Sequence, residues 1–388
     1  MTHHTEVFTL SAGPTMATHR TLAALGKPIL YHYDPLFLDT FTRTQEKAAK
    51  VFRTENDMIL MQGEAIVALE GAARSLTRPG MKALNLVQGV FGKGMGHWLR
   101  SFGADVHEIE VPFNEAVSPA AVEAFLAEHP DTELLTLVHS ETPSGTVTDC
   151  SQIGPIAKRF GVITLIDAVS SVGGLEFATD EWQLDVVVTG AQKCLAGPPG
   201  IGLVSVSAEA WDRMEANPLA PRSSYVSLLD WREKWLGQGA FPYTPSVSDV
   251  HGVEAALDQV LEEGLEQVVG RHTLAAEATR AGVRAMGLEL WAVNDEVAAN
   301  CVTSVRLPDT LPDLTVRAHV RERYGVMLSS GQGAGNLMRL AHMGPSANAM
   351  YPVVGLAALG RGLRDLGLAV DIGAGVDAAL EVAAGIAG

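Results

Sequence analysis

The chain has 388 residues, of which 47% are apolar and 19% charged, and it carries a net charge of -17. That length implies two domains, or one large domain with an appendage, and the acidic balance excludes a nucleic-acid or anionic-membrane partner, since both need basic patches. Three dispersed cysteines exclude a disulfide framework or a cysteine zinc site; no apolar run reaches the roughly 18 residues of a membrane span; and the opening MTHHTEVFTLSAGP lacks the pattern of a signal peptide, so a cytoplasmic enzyme without a metal site is expected.

In chain order, short apolar runs alternate with segments of helical period. MILM (58–61) and ALNLV (83–87) read as buried strands, with the helical AIVALEGAARSL between them. VHEIEV (106–111), ELLTLV (133–138), VITLI (162–166), DVVVT (185–189) and IGLVSV (201–206) read as further buried strands, and CSQIGPIAKRFG as a helix closing on a glycine. Strand, helix and strand in repetition predict a mostly parallel sheet covered on both faces, with functional residues on the loops at the strand ends. The character changes after about residue 245. A long helical stretch from Val250 to Gly287 is expected to break near Gly264 and Gly270, and is followed by the strand TSVRLP, a helix around LTVRAHVRERYG, the strand-like VMLSS, a glycine-rich loop and MRLAHMG. The final DIGAGVDAALEVAAGIAG reads as an apolar helix. Two domains are predicted, a large α/β domain over 15–262 and a small α+β domain over 263–388, with residues 1–14 packing near the active site or the small domain.

Three loops carry chemistry. In LIDAVSSVGG, Asp167 follows a wholly apolar strand; it is either a helix N-cap or a buried functional carboxylate. In VVVTGAQKCLAGPPGIG, Lys193 lies between small residues and a GPPG turn that cannot continue a helix. A lysine there is either solvated, or desolvated with a lowered pKa and a nucleophilic amine. The third loop, VHSETPSGTVTD, is a polar turn after another apolar strand. An aspartate at one strand end with a lysine on a later loop is the pair that a pyridoxal-type ring requires: the lysine for the Schiff base, the carboxylate to keep the pyridine nitrogen protonated.

With these motifs the chain resembles the class V, fold type I aminotransferases of the alanine-glyoxylate family. The resemblance runs from SAGP (11–14) through DAVSSVGG and GAQKCLAGPPG to MRLAHMG (338–344). Further segments, YHYDP, QGEAIVALEG, GVFGKG, TPSGT, NPLAPR, FPYTPSVS and RYGVMLSSG, resemble members that exchange an amino group between pyridoxamine and pyruvate. It implies an α/β fold with a seven-stranded, mostly parallel sheet and a smaller α+β domain, and a homodimer or homotetramer. It further implies Lys193 as the Schiff-base residue, Asp167 as partner of the pyridine nitrogen, Phe91 as the aromatic stacked on the ring, Thr142 on the phenolic oxygen, and Arg339 forked onto the substrate carboxylate. Phe91 reads equally as core packing, and Arg339 as one half of a surface or interdomain salt bridge.

Two departures from the family pattern stand out. In MQGEAI, Glu64 occupies a place where the family has a small hydroxyl residue binding the 5′-phosphate of pyridoxal phosphate at a helix N-terminus. A carboxylate about 4 Å away would oppose that phosphate by roughly 4 kcal/mol per unit charge at an effective dielectric near 20, while accepting a hydrogen bond from a free 5′-hydroxyl. Glu64 is otherwise an ordinary helix-starting acid. The expectation is therefore no tightly bound cofactor: pyridoxamine and pyruvate enter as substrates and pyridoxal and L-alanine leave, a step in vitamin B6 breakdown. The other departure is SSGQGAGNLMR, where Gln332 stands in place of an arginine and the loop is shorter, leaving Arg339 as the main carboxylate ligand. The alternatives are a conventional pyridoxal-phosphate enzyme, such as an alanine-glyoxylate or aminoethylphosphonate-pyruvate transaminase, and a non-catalytic binding protein on the same fold. A desulfurase is disfavoured because none of Cys150, Cys194 and Cys301 lies in a recognisable catalytic loop.

Overall fold

The computed structural model describes residues 7–385. Seven strands form the central sheet: β1 (Asp57–Gln62), β2 (Lys82–Val87), β3 (Asp105–Glu110), β4 (Leu134–Val138), β5 (Ile163–Asp167), β6 (Val186–Gly190) and β7 (Ile201–Val206). Their order is β1-β7-β6-β5-β4-β2-β3. The pairs β3/β2, β2/β4, β4/β5 and β5/β6 are parallel, while β7 runs antiparallel to both β1 and β6. The sheet is thus the mostly parallel, seven-stranded one expected.

Continuous Val, Ile and Leu runs are what a strand covered on both faces requires, and β4, β5, β6 and β7 are buried at every position. VHEIEV is the exception to the expected burial. It forms β3 at the sheet edge, where half-exposed residues alternate with more exposed ones. Its alternating polar residues carry the signal of a one-sided edge strand. Helix α1 (Ala65–Leu76) follows β1 and helix α2 (Val90–Ser101) follows β2. Because β1, β2, β4, β5 and β6 run in one direction, the loops leaving their C-terminal ends gather along one edge of the sheet, the usual ligand edge of such folds.

Beyond the sheet, helix α3 (Val247–Glu263) stops at Gly264, which takes φ 93° and ψ 138°, and α4 (Leu265–Ala285) begins at once. Gly270 does not break the chain as expected. It lies inside α4 with open space around its Cα, where a glycine costs the helix only about 1 kcal/mol. A three-stranded antiparallel sheet follows, β8 (Val302–Arg306), β9 (Ser329–Ser330) and β10 (Leu337–Ala341), in the order β8-β10-β9. Helices α5 (Asp313–Tyr324), α6 (Met350–Asp365) and α7 (Ile372–Ala383) accompany it. VMLSS is not one strand: Val326–Met327 pairs in parallel with Phe8–Thr9, and only Ser329–Ser330 joins β10. The chain bends between them because two different sheets claim its two ends.

One hydrophobic core surrounds the large sheet. A second joins Leu10 to residues between Ala278 and Ala379. A third, small cluster including Ala12, Cys194, Cys301 and Met343 lies in the seam between them. No helix of the described residues is long and apolar enough to cross a membrane.

Candidate active site

The C-terminal edge of the large sheet opens into a cavity whose lining includes Glu64, Phe91, Thr142, Asp167, Val169 and Lys193. Five residues singled out from the sequence therefore share one space.

Asp167 is the last residue of β5. Its Oδ1 accepts a hydrogen bond from the Val169 N–H at 2.9 Å. Burial pushes its pKa from the usual 3.8 up to about 6, against the Val169 N–H and the Lys193 amine, which lower it, while Glu64 adds a smaller repulsion. Lys193 stands on the loop after β6. Its Nζ donates to the Ala12 carbonyl at 2.7 Å, and its pKa is lowered by burial first and by the Arg339 charge second. This is the desolvated lysine of the two sequence alternatives, not the solvated one.

Glu64 starts a helix and also lines the cavity. It is the N-cap of α1, with Oε2 accepting from the Ile66 N–H at 2.8 Å, and it also faces the cavity. Its second oxygen, Oε1, accepts from the side-chain amide of Gln192. Gly63 takes φ 129°, and a Cβ there would lie 2.8 Å from Val67 Cγ2. The turn that presents Glu64 therefore needs glycine.

Phe91 is on the first turn of α2 and 39% exposed, so it is a cavity wall and not core packing. Thr142 is buried on the loop after β4, its Oγ1 donating to Ser170 Oγ at 3.4 Å; Ser170 in turn donates to the Ser140 carbonyl at 2.7 Å.

Arg339, on β10, is buried and makes no salt bridge among the described residues. Its Nη2 donates to Gln332 Oε1 at 3.1 Å and its Nε has no partner. Burial lowers its pKa to about 10. A buried guanidinium with an unpartnered N–H is able to take an anion, and no salt bridge of the kind the alternative required is formed among the described residues. Gln332 itself is in a tight turn with φ 47°, next to the arginine it was expected to assist.

Sequence reasoning missed Gln192, Glu141 and the Ala12 carbonyl. Gln192 was visible as the neighbour of Lys193, but its contact with Glu64 depends on how β6 lies against α1. Glu141 is a carboxylate in a segment read only as a polar turn. A main-chain carbonyl leaves no sequence signal.

A mostly parallel seven-stranded sheet with a half-buried lysine and a buried aspartate at its ligand edge fits a fold type I aminotransferase. The profile of the aminotransferase class-V family matches residues 9–348, and the chain belongs to that family. It is 44% identical over 382 residues to the pyridoxamine–pyruvate transaminase of Mesorhizobium japonicum, covering 98% of this chain and 97% of the relative. The crystal structure of pyridoxamine-pyruvate aminotransferase from Mesorhizobium loti has a TM-score of 0.96 at 43% identity, over 100% of this chain and 99% of that one. The ureidoglycine-glyoxylate aminotransferase of Bacillus subtilis has a TM-score of 0.92 at 26% identity, over 97% of each chain.

Proposed function

We propose that this enzyme transfers the amino group of free pyridoxamine to pyruvate, giving pyridoxal and L-alanine, as a step in vitamin B6 breakdown, and that it holds no pyridoxal phosphate as a resident cofactor. The observation that carries this reading is the Glu64 carboxylate, fixed at the N-terminus of α1 by Gln192 and the Ile66 N–H, in the cavity that holds Lys193 and Asp167. It spends the helix N-terminus on a protein anion, so a phosphate there meets repulsion of about 4 kcal/mol per charge at about 4 Å. A hydroxyl meets an acceptor.

The pyridine ring, when bound, supplies the electron sink of the reaction. The residues of the chain do the remaining work. Asp167 accepts the pyridinium N–H and keeps that nitrogen protonated. Phe91 stacks on the ring and Thr142 donates to its phenolic oxygen. Arg339 holds the keto-acid carboxylate, its unpartnered Nε and the Nη2 now given to Gln332 forming the fork, with Gln332 as a neutral second donor once the carboxylate arrives. Lys193, with its lowered proton affinity, would supply the amine that condenses with the C4′ aldehyde of pyridoxal with loss of water and, once the incoming amino group has displaced it, the base that carries the proton between C4′ and the Cα of the amino acid. The apolar, exposed side chains of Ile29, Tyr31 and Leu36 on one short segment support a homodimer or homotetramer as the working assembly.

The test compares pyridoxamine with pyridoxamine 5′-phosphate as amino donor to pyruvate, following release of the aldehyde by its absorbance. We expect kcat/KM to favour the free vitamin by at least about a hundredfold, and Glu64→Ser to narrow the gap from both sides. Equal use of the two donors by the wild-type protein would return the enzyme to the conventional pyridoxal-phosphate class.

A further inference from the structure

Glu141 has no part in the chemistry above and lies wholly buried behind the cavity wall. Isolated buried carboxylates are costly unless their oxygens are satisfied, and this one finds its partners in the main chain. Oε1 accepts from the Gly92 N–H at 2.6 Å and Oε2 from the Phe91 N–H at 3.3 Å. These are first-turn donors of α2, a helix whose own N-cap, Gly89, has no side chain to offer. The cap is thus provided by a different element, the Ser140–Glu141 strand that follows β4.

The fit is close. A Cβ at Gly89 would lie 2.6 Å from Glu141 Oε2, and one at Gly92 would lie 3.3 Å from Oε1 and 2.9 Å from the Leu86 carbonyl. The two glycines leave the space that the carboxylate fills. On its main-chain side, Glu141 closes the next turn: its carbonyl accepts from the Gly145 N–H at 2.8 Å and from Ser144 Oγ at 3.3 Å. Thr142 is the residue between. One residue therefore fastens two walls of the cavity, the helix turn bearing Phe91 and the loop bearing Thr142.

We infer that Glu141 is a positioning residue for ring binding: its carboxylate caps α2 from outside the helix and so sets Phe91 against the ring while its backbone sets Thr142. The inference rests on the assignment of Phe91 and Thr142 to the pyridoxamine ring. Charge matters to the cap, because a carboxylate accepts from both N–H groups and complements the helix dipole, whereas an amide has one acceptor and turns its NH₂ toward the second N–H. Burial raises the Glu141 pKa to about 7, against the two backbone hydrogen bonds that lower it, with Asp167 adding repulsion.

The experiment uses steady-state kinetics with pyridoxamine and pyruvate on the full chain. Glu141→Gln should raise KM for pyridoxamine at least tenfold while kcat falls less than fivefold and KM for pyruvate moves less than threefold. In a Phe91→Leu background, where the aromatic to be positioned is gone, the same substitution should add less than threefold to KM. Gly89→Ala, whose backbone φ of -177° any residue adopts, pushes the carboxylate off the helix and should reproduce the KM effect; it carries the test if Glu141→Gln does not fold. An unchanged KM in both single variants, or the same multiple with and without Phe91, would overturn the inference. A wild-type protein that ignores pyridoxamine would instead refute the proposed reaction, so the two failures are distinct.

Discussion

Arg339 is a cation held in the protein interior with no counter-ion among the described residues, a state that costs folding energy and is repaired by binding an anion. Gln332 takes one of its donors, and a neutral amide is a weaker partner than a carboxylate. Arg339→Ala should therefore raise KM for pyruvate by about a hundredfold or more, close to the loss of two charge-assisted hydrogen bonds. Gln332→Ala should change it less than tenfold. Steady-state kinetics at saturating pyridoxamine measures both, and the reverse ranking would mean that the keto-acid carboxylate is held elsewhere. Asp167 stores strain of a different kind. Its pKa is raised from 3.8 to about 6 by burial, so the folded protein binds that proton more tightly than the unfolded chain does. The corresponding stability is present below about pH 4 and is lost as the pH rises through about 6. Asp167→Asn, which cannot ionise, should match the wild type near pH 4 and exceed it above pH 7, by at most about 3 kcal/mol, while turnover falls by several powers of ten. Thermal unfolding of both proteins across that range tests the sign; a gap that shrinks with rising pH would be inconsistent with a destabilised carboxylate. These roles could be argued from single residues because each side chain's chemistry is nearly fixed by its type and its place at a strand end. The partners were not legible: which amide meets Glu64 and which N–H groups meet Glu141 are set by the approach of distant segments.

At the scale of elements, continuous apolar runs located the buried strands and helical period located the helices; in the structure Glu64 before α1 and Asp149 before Cys150–Arg159 both accept from the second helical N–H. The pattern was weaker where burial is one-sided, as at β3, and where one apolar run serves two sheets, as at Val326–Ser330. Glycines divide in the same way. Gly264 ends a helix and Gly270 merely lies within one, and nothing local distinguishes them. Gly282, also in α4, is different again: a Cβ there would collide with Leu356 and come within 2.7 Å of the Gly375 carbonyl, so α4, α6 and α7 meet at a point with no room for a methyl group. Gly282→Ala should destabilise the protein by about 1–3 kcal/mol through overpacking, whereas Gly270→Ala, with nothing within 4 Å, should stabilise it by about 0.5–1 kcal/mol. Urea unfolding of the two variants makes the comparison, and equal effects would contradict the packing described for α4.

For the molecule as a whole, two large clusters of buried apolar residues are present among the described residues, one around the large sheet and one reaching from Leu10 to residues between Ala278 and Ala379. The thread joining them could not be read from composition, because it is made of main-chain bonds. Phe8–Thr9 pairs with Val326–Met327, Leu10 lies in the second core, and the Thr15 N–H bonds the Gln192 carbonyl at 2.9 Å. Between those anchors, the Ala12 carbonyl accepts the hydrogen bond of Lys193 Nζ, and Gly13 is so close that a Cβ on it would lie 2.6 Å from that nitrogen. An amine that bonds to a carbon of the vitamin gives up donors it now spends on Ala12. In the reaction proposed above, substrate must therefore displace the Ala12 carbonyl from the Lys193 amine. By reciprocity, whatever loosens the early segment from the second core frees the lysine, and whatever engages the lysine loosens the segment. Affinity for the vitamin and the seating of the first strand are two readings of a single equilibrium.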